Sequence, residues 1–388
     1  MQKDFHYYAT YCAACLAGWS HDEAMAICYS AQLVDWCSLS FLNGLKGPTA
    51  AATTQLQLEL MKARTDLIGL QDITRIWASF HFLPYDLHAA VRRSGRTYRS
   101  KYRLICRPNG ALLAETVELA KKRGLQAAGI AMHVLADTWA HSYFAGTPSL
   151  VINNTDYYFR ELLREGEREI ERPIRFRHSP GAPDDLEQGL YSNSIFRWEE
   201  NSIMNLGHGR AGHLPDYCFI RYKYLPAWGG YEEIVKDNPA DYYKAFCQMI
   251  HALKYLRGSI PSFALGAYDT EAAAPWEDEI RAILEKRQLD ACADWRALGE
   301  KIAGQTIEDF DLEKYRAEYL AAPEADRGGT FLGAFFIAAM AQKSMVMNRI
   351  FRSGNLLAGF SADFAQKGFR GIRDYRRLLD RGGKEDEP

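Results

Sequence analysis

One short stretch, MHVLADTWAHSYFAG at residues 132–146, constrains this chain more than any other segment. His133, Asp137 and His141 stand four residues apart among apolar and small residues. In an α-helix each such step turns by about 40°, so the three side chains share one stripe. A buried stripe of two imidazoles and a carboxylate leaves several polar groups to satisfy at once. The stripe therefore predicts either a metal site or a buried hydrogen-bond network.

The length of the stripe indicates more than one ion. His133 and Asp137 are neighbours on a helix surface and can hold one cation together. His133 and His141 lie two turns apart, about 12 Å along the axis, which is too far to bind the same ion comfortably. Two nearby cations, with Asp137 binding one or bridging both, are the economical arrangement. Metal ions about 3.5–4 Å apart hold phosphoryl oxygens in many phosphatases and nucleases.

Other histidines and acids in the first 220 residues extend the metal hypothesis. The stretch 207–217, GHGRAGHLPDY, contains two histidines and an acid between glycines and a proline that allow side chains to fold inward. Imidazole and carboxylate ligands suit zinc first, with iron or manganese as alternatives. The candidate metal ligands are His6, Asp35, His81, His133, Asp137, His141, His208, His213 and Asp216.

The apolar periodicity predicts an all-α protein, a multi-helix bundle with long ordered loops and at most a small β-hairpin. Residues 154–169 are among the predicted helices, and residues 172–216, rich in Pro, Gly, Asn and Arg, are expected to form an ordered loop. We expect a helical metal-binding core over residues 1–265. A helical extension over residues 266–388 would pack on it and end in a disordered tail at 381–388.

The composition excludes some classes of partner. The chain has 388 residues and a net charge of −2, so there is no general basic field and no stable nucleic-acid complex is expected. No apolar run reaches the roughly 20 residues that a membrane span needs. Eight cysteines without a clear secretory signal predict free thiols in a reducing, cytoplasmic location. The composition leaves homo-oligomerisation open.

A second motif, the doublet His21-Asp22, would suggest an HD-type phosphohydrolase. Ser20 and Glu23 flank the doublet in the pattern of a helix capping box. Both residues of the doublet are then explained as exposed neighbours of the cap at a helix N-terminus. The HD-type alternative is therefore weaker than the one that the stripe supports.

The order of the candidate ligands resembles the zinc-dependent phospholipase C and S1/P1 nuclease superfamily, in a bacterial branch of it. The stretch HVLADTWAH is similar to the superfamily's His-x3-Asp followed by another His. The resemblance implies an all-α fold, a trinuclear zinc cluster and hydrolysis of phosphate esters. It also implies ligand roles for His6, Asp35 and His81. A late pair would close the set, namely Asp216 with His213, or with His208 in its place.

The beginning of the chain differs from that superfamily, whose mature N-terminal Trp binds a metal through its amine and carbonyl. Here the sequence starts MQKDF, so we expect Asp4 to substitute or one metal position to be incomplete. In the expected mechanism Asp137 lies at the centre of the cluster, and Asp4 or Asp35 orients or deprotonates the attacking water. Basic residues at 91–107 would grip a phosphate or form a solvated face.

The resulting prediction is a metal-dependent hydrolase that cleaves phosphodiesters or phosphomonoesters with metal-activated water at a di- or trinuclear site. Its substrate would be a small molecule or another phosphoester. The alternatives are a non-catalytic helical protein that metal ions stabilise for a binding role, and an HD-type phosphohydrolase.

Overall fold

Helices make up about 53% of the described residues. The computed structural model describes residues 1–62, 67–88, 102–148, 152–153, 155, 158–166, 168–177, 182–193, 206–226 and 232–355. A π-helical turn at Asp4–Ala9 leads into the first helix. The helices are α1 Thr10–Leu16, α2 His21–Leu33, α3 Leu39–Leu45, α4 Gln57–Met61, α5 Leu67–Phe80, α6 Ala111–Ala120, α7 Leu125–Ala140, α8 Asn238–Arg257, α9 Thr270–Ala273, α10 Glu277–Glu285, α11 Cys292–Ala303, α12 Arg316–Ala321 and α13 Phe331–Arg352.

Two β-sheets accompany the helices. The strands are β1 Arg160–Glu165, β2 Arg168–Pro173, β3 Arg175–Arg177, β4 Leu190–Ser192, β5 Arg221–Tyr224 and β6 Ile234–Asp237. Four of them form an antiparallel sheet in the order β2-β1-β5-β6, and β3 pairs with β4 in parallel. The prediction of an all-α protein is therefore wrong, because the fold mixes α-helices with two sheets.

The strands arise where the sequence favoured a helix or a loop. Gly166, with φ of 63°, turns the chain from β1 into β2, and so breaks the helix predicted for residues 154–169. On β1 the carboxylate of Glu161 is fully buried and accepts hydrogen bonds from Arg172 of β2 and from Arg287, which lies far along the chain. Burial of a charge requires such partners. Local propensity carries no information about them.

Helix α7 lies in the middle of the hydrophobic core. Residues 127–140 are buried on every side of it, and it packs against α2, α5, α6, α8 and α13. The part of the chain beyond residue 266 shares this core, for example through Trp295 of α11 and Phe335 of α13, both fully buried. Polar residues on α7 are thus cut off from solvent and must find their partners inside the protein.

One described helix, α13, has the length and apolar composition that a membrane crossing requires, although the sequence showed no such run. It carries Lys343, Arg349 and Arg352 and packs against α5, α6, α7 and α12. A core helix of a globular protein meets the same criterion, so this finding is weak evidence for a membrane.

A glycine sets the closest approach between α2 and α7. A Cβ atom on Gly129 would lie 2.3 Å from the carbonyl oxygen of Ile27 and 2.5 Å from the Cβ of Ser30. One turn further along α7, the Nδ1 of His133 lies 2.9 Å from the carbonyl oxygen of Ala31. The close packing therefore also places an imidazole of the stripe against the end of α2.

We expect Gly129→Ala to lower the free energy of unfolding by roughly 1–3 kcal/mol, because overpacking outweighs the gain in helix propensity of about 1 kcal/mol. Urea denaturation measures the change. Gly329→Ala is the control, since its added Cβ would meet nothing within 4 Å, and we expect a change within about 0.5 kcal/mol. Equal effects of the two substitutions would contradict the packing argument.

Candidate metal centre

The structure brings the stripe of α7 together with side chains from four other segments. His133, Asp137 and His141 are 0–4% exposed. Three groups of metal-ligand atoms form around them, each with all its atoms within 4.8 Å, and two of the groups share His133. The groups are His6, His133 and Asp137; Asp35, His81 and His133; and His141, His208 and Asp216. Eight of the nine predicted metal ligands therefore lie in one cluster.

The ends of α2 and α5 bring Asp35 and His81 to the stripe. The Nδ1 of His81 and the Nε2 of His133 lie 3.2 Å apart, and each lies 3.1 Å from the Oδ2 of Asp137. The Oδ1 of Asp35 stands 3.9 Å from both of these nitrogens. Thr53 holds the turn that carries Asp35 by donating its hydroxyl to the carbonyl of Val34 at 2.6 Å.

Backbone carbonyls fix the tautomers of these two imidazoles. The Nδ1 of His133 lies 2.9 Å from the carbonyl oxygen of Ala31, and the Nε2 of His81 lies 3.1 Å from that of Thr53. Because a carbonyl oxygen only accepts, each of these nitrogens carries the proton. In a neutral imidazole the other nitrogen then presents a lone pair. Both lone pairs point at the carboxylate of Asp137.

His6 and the amino group of Met1 reach the other oxygen of Asp137. The Nε2 of His6 lies 3.1 Å from the Oδ1 of Asp137, yet neither ring nitrogen of His6 makes a hydrogen bond to a described residue. The amine of Met1 donates to the same Oδ1 at 2.9 Å and lies 3.2 Å from the Oδ1 of Asp216. Asp137 is thus shared between two sets of groups, one at each oxygen.

The third group combines the end of α7 with the loop at 206–220. The Nε2 of His141 lies 3.1 Å from the Oδ1 of Asp216, and that of His208 lies 3.6 Å from the same oxygen. Gly207 and Gly212, both with φ of 57°, allow the loop to turn inward. Their added Cβ atoms would collide with the Phe82 ring and with a backbone oxygen.

Backbone carbonyls also orient the imidazoles of the third group. The Nδ1 of His141 lies 2.8 Å from the carbonyl oxygen of His81, and the Nδ1 of His208 lies 2.8 Å from that of Gly212. The Nε2 atoms of both rings then face Asp216, and that of His141 also lies 3.2 Å from the amine of Met1. This is the arrangement in which histidines bind metal ions, with the second nitrogen fixed by an acceptor.

Burial and charge give the cluster the protonation state of a metal site. Burial lowers the pKa of His6, His133 and His208 to about 4, so these rings are neutral at pH 7. Burial would raise the pKa of Asp137 and Asp216, but the neighbouring imidazoles and the Met1 amine hold both pKa values well below the usual range. Neutral imidazoles and ionised carboxylates are the forms that bind metal ions.

Two of the predicted site residues lie apart from the cluster or at its edge. Asp4 is buried, but its carboxylate accepts the backbone N–H of Phe5 at 2.7 Å and faces the backbone of Ala291. His213 is 59% exposed, and its Nδ1 lies 3.3 Å from the Oδ2 of Asp216. His208, rather than His213, completes the third group.

The position where Asp4 was expected is taken by the amine of Met1. The resemblance includes an N-terminal amine as a ligand, but no side-chain pattern placed the amine of Met1 beside Asp137, because that contact depends on the folded path of the backbone. The capping box of Ser20 and Glu23 is present, and His21 pairs with the hydroxyl of Tyr11 at 2.7 Å. Most of the basic stretch, residues 91–101, lies outside the described residues, and Arg107 stacks on Tyr85 and Tyr143.

The variant Asp4→Asn tests whether Asp4 acts independently of the candidate metal ligands. Burial raises the pKa of Asp4 from its ordinary 3.8 to about 6, so the folded protein keeps a proton that the unfolded chain releases. Wild-type stability then falls as the pH rises between these two values, while the Asn variant lacks this loss. Its stability relative to wild type should grow by up to roughly 1.4 kcal/mol per pH unit across this window and level off above it.

Urea denaturation at several pH values measures this difference, and elemental mass spectrometry should find the metal content of wild type in Asp4→Asn. A constant stability difference across this pH range, or loss of a metal ion from the variant, would contradict the placement of Asp4.

No curated protein and no solved structure matches this chain. Residues 1–350 match a family of unknown function, DUF6765, across most of the 388-residue chain. The protein is therefore a member of the DUF6765 family.

Proposed function

We propose that this protein is a metal-dependent hydrolase of phosphate esters that binds two or three ions, zinc first, in the cluster around Asp137. The proposal rests on the chemistry of the donor atoms and on the resemblance of their order to the phospholipase C and S1/P1 nuclease superfamily. Iron or manganese would suit the same ligands.

The observation that carries the proposal is a contact between three acceptors. The Nδ1 of His81 and the Nε2 of His133 lie 3.2 Å apart, and each lies 3.1 Å from the anionic Oδ2 of Asp137. Acceptors this close repel one another in a buried site unless a cation lies among them. A proton satisfies only one such contact. A metal ion satisfies all three at once.

The spacing of these atoms also fits a metal ion. Donor atoms around a tetrahedral zinc ion with bonds of about 2.0–2.1 Å lie roughly 3.3–3.4 Å apart. The nitrogen and oxygen atoms of His81, His133 and Asp137 are 3.1–3.2 Å apart, and Asp35 at 3.9 Å supplies a fourth donor. The buried, unbonded Nε2 of His6 supports a second ion at Oδ1 of Asp137.

The bound ions and the acids of the cluster would have different roles in hydrolysis. Bound metal ions would lower the pKa of a water molecule towards about 7 and neutralise phosphate charge. Asp35 is the most exposed acid of the cluster, with 30% of its side chain exposed, and burial raises the pKa of its carboxyl. It is therefore suited to orient a water molecule and accept its proton. Asp137 is 1% exposed and holds the groups together.

The alternative functions make different demands on the same cluster. A non-catalytic, metal-stabilised protein would bind the ions in the cluster but hydrolyse no ester. The HD-type alternative draws no support from His21, which pairs with Tyr11 and is not a member of the three groups. The exposure of Asp35 and of His208, whose side chain is 19% exposed, favours a site that a substrate can reach.

The proposal is tested by comparing the metal content and the ester hydrolysis of the wild-type protein with those of the Asp137→Ala variant. We expect two or three equivalents of metal in wild type by elemental mass spectrometry, and the loss of at least one in the variant, because each oxygen of Asp137 serves a different group. Hydrolysis of bis(p-nitrophenyl) phosphate and p-nitrophenyl phosphate should fall with the metal.

Asp72→Ala is the matched control, since it removes the same charge from a carboxylate that is 60% exposed on α5. It should keep the metal and the activity of wild type. Less than about a tenth of an equivalent in wild type, after incubation with zinc, iron or manganese, would overturn the proposal. Full metal binding without hydrolysis of either ester would favour the non-catalytic alternative.

A further inference from the structure

A buried lysine lies at the end of the helix that carries the stripe. Lys236 of β6 is 2% exposed, and its Nζ donates to the carbonyl of Trp139 and to the Oγ of Ser142, both at 2.9 Å. The Asp241 carboxylate is its counter-ion. The carbonyl of Trp139 is one of the last in α7, where the helix dipole is negative and carbonyls lack helical partners.

The two acceptors of Lys236 bracket a candidate ligand. Trp139 and Ser142 lie on either side of His141, at the point where α7 ends. The ammonium group thereby fixes the backbone of the turn that presents the imidazole of His141 to Asp216. Removal of this donor would leave the carbonyl of Trp139 and the Oγ of Ser142 without their ammonium partner.

The residues just after Lys236 hold the opposite side of the same group. Asn238 donates through its Nδ2 to the carbonyls of Leu214 and Tyr217, both at 2.8 Å. The hydroxyl of Tyr242 donates to the carbonyl of Asp216 at 2.8 Å. The junction of β6 and α8 therefore contacts the two segments whose side chains, His141 and Asp216, must meet at one ion.

We propose that Lys236 is a positioning residue that, from the β6–α8 junction, sets the distance between His141 and Asp216 and so controls binding of the ion at the His141, His208 and Asp216 group. This inference rests on the proposed metal cluster. Groups that orient metal ligands typically change affinity by about 10–100-fold when they are removed. The effect is confined to one ion, because Lys236 contacts Trp139, Ser142 and Asp241 and, within the described part of the chain, forms no hydrogen bond or ion pair with His6, His81 or His133.

The test is zinc affinity and stoichiometry of the full-length protein, measured by titration against a competing chelator. In Lys236→Met we expect one ion to bind about 10–100-fold more weakly, with the remaining ions unchanged. Lys236→Arg, which keeps a cation, should bind that ion more tightly than Lys236→Met does. Lys223→Met is the matched control, since Lys223 on the neighbouring strand pairs with Glu171 and Glu233.

Unchanged affinity for every ion in Lys236→Met would overturn the inference and leave the proposed function intact. Equal weakening of all ions would also overturn it, because it would show a general structural role. Wild type that binds no zinc would overturn both proposals. If Lys236→Met does not fold, the same measurement is made on Lys236→Met with Asp241→Asn, which removes the carboxylate left without its partner.

Discussion

A single buried carboxylate with a different set of partners at each oxygen is the constraint on which this fold depends. Asp137 lies in the centre of the core, where an ionised group is unfavourable unless cations or donors surround it. Its Oδ2 faces the ends of α2 and α5, and its Oδ1 faces the π-helical turn and the amine of Met1. Each of these segments must be in place before the charge is satisfied.

The sequence predicted the cluster better than the fold. His133 and Asp137 sit on one helix and His141 directly follows its last residue, so helical spacing predicted that the three share one side. Asp35, His81, His6 and Asp216 were predicted from their apolar or glycine-rich surroundings and from the resemblance. The prediction of the fold class was wrong at β1 and β2. There the buried carboxylate of Glu161 needs a hydrogen bond from Arg287, a partner 126 residues away. Residues rich in Glu, Leu and Arg favour a helix locally, and only the tertiary ion pairs select the strand.

The errors within the site have a similar cause. Asp4 and His6 are two residues apart, but the π-helical turn directs Asp4 towards the α11 end of the fold and His6 towards Asp137. Residues two apart on an α-helix also point about 200° apart, so the expectation for Asp4 came from the resemblance and not from periodicity. His208 and His213 flank Gly212, whose φ of 57° decides which of the two faces inward. Sequence alone left that choice open, and backbone geometry makes it.

Four of the five imidazoles in the cluster are oriented by main-chain carbonyls, those of residues 31, 53, 81 and 212. Every amino acid has such a carbonyl, so these orienting contacts do not by themselves depend on the side chains at the four positions. Three of those side chains are constrained for other reasons, since His81 is a candidate ligand, Thr53 holds the turn of Asp35 and Gly212 has a φ of 57°. The path of the backbone therefore supports the site, and a comparison of residue identities alone would not detect this contribution.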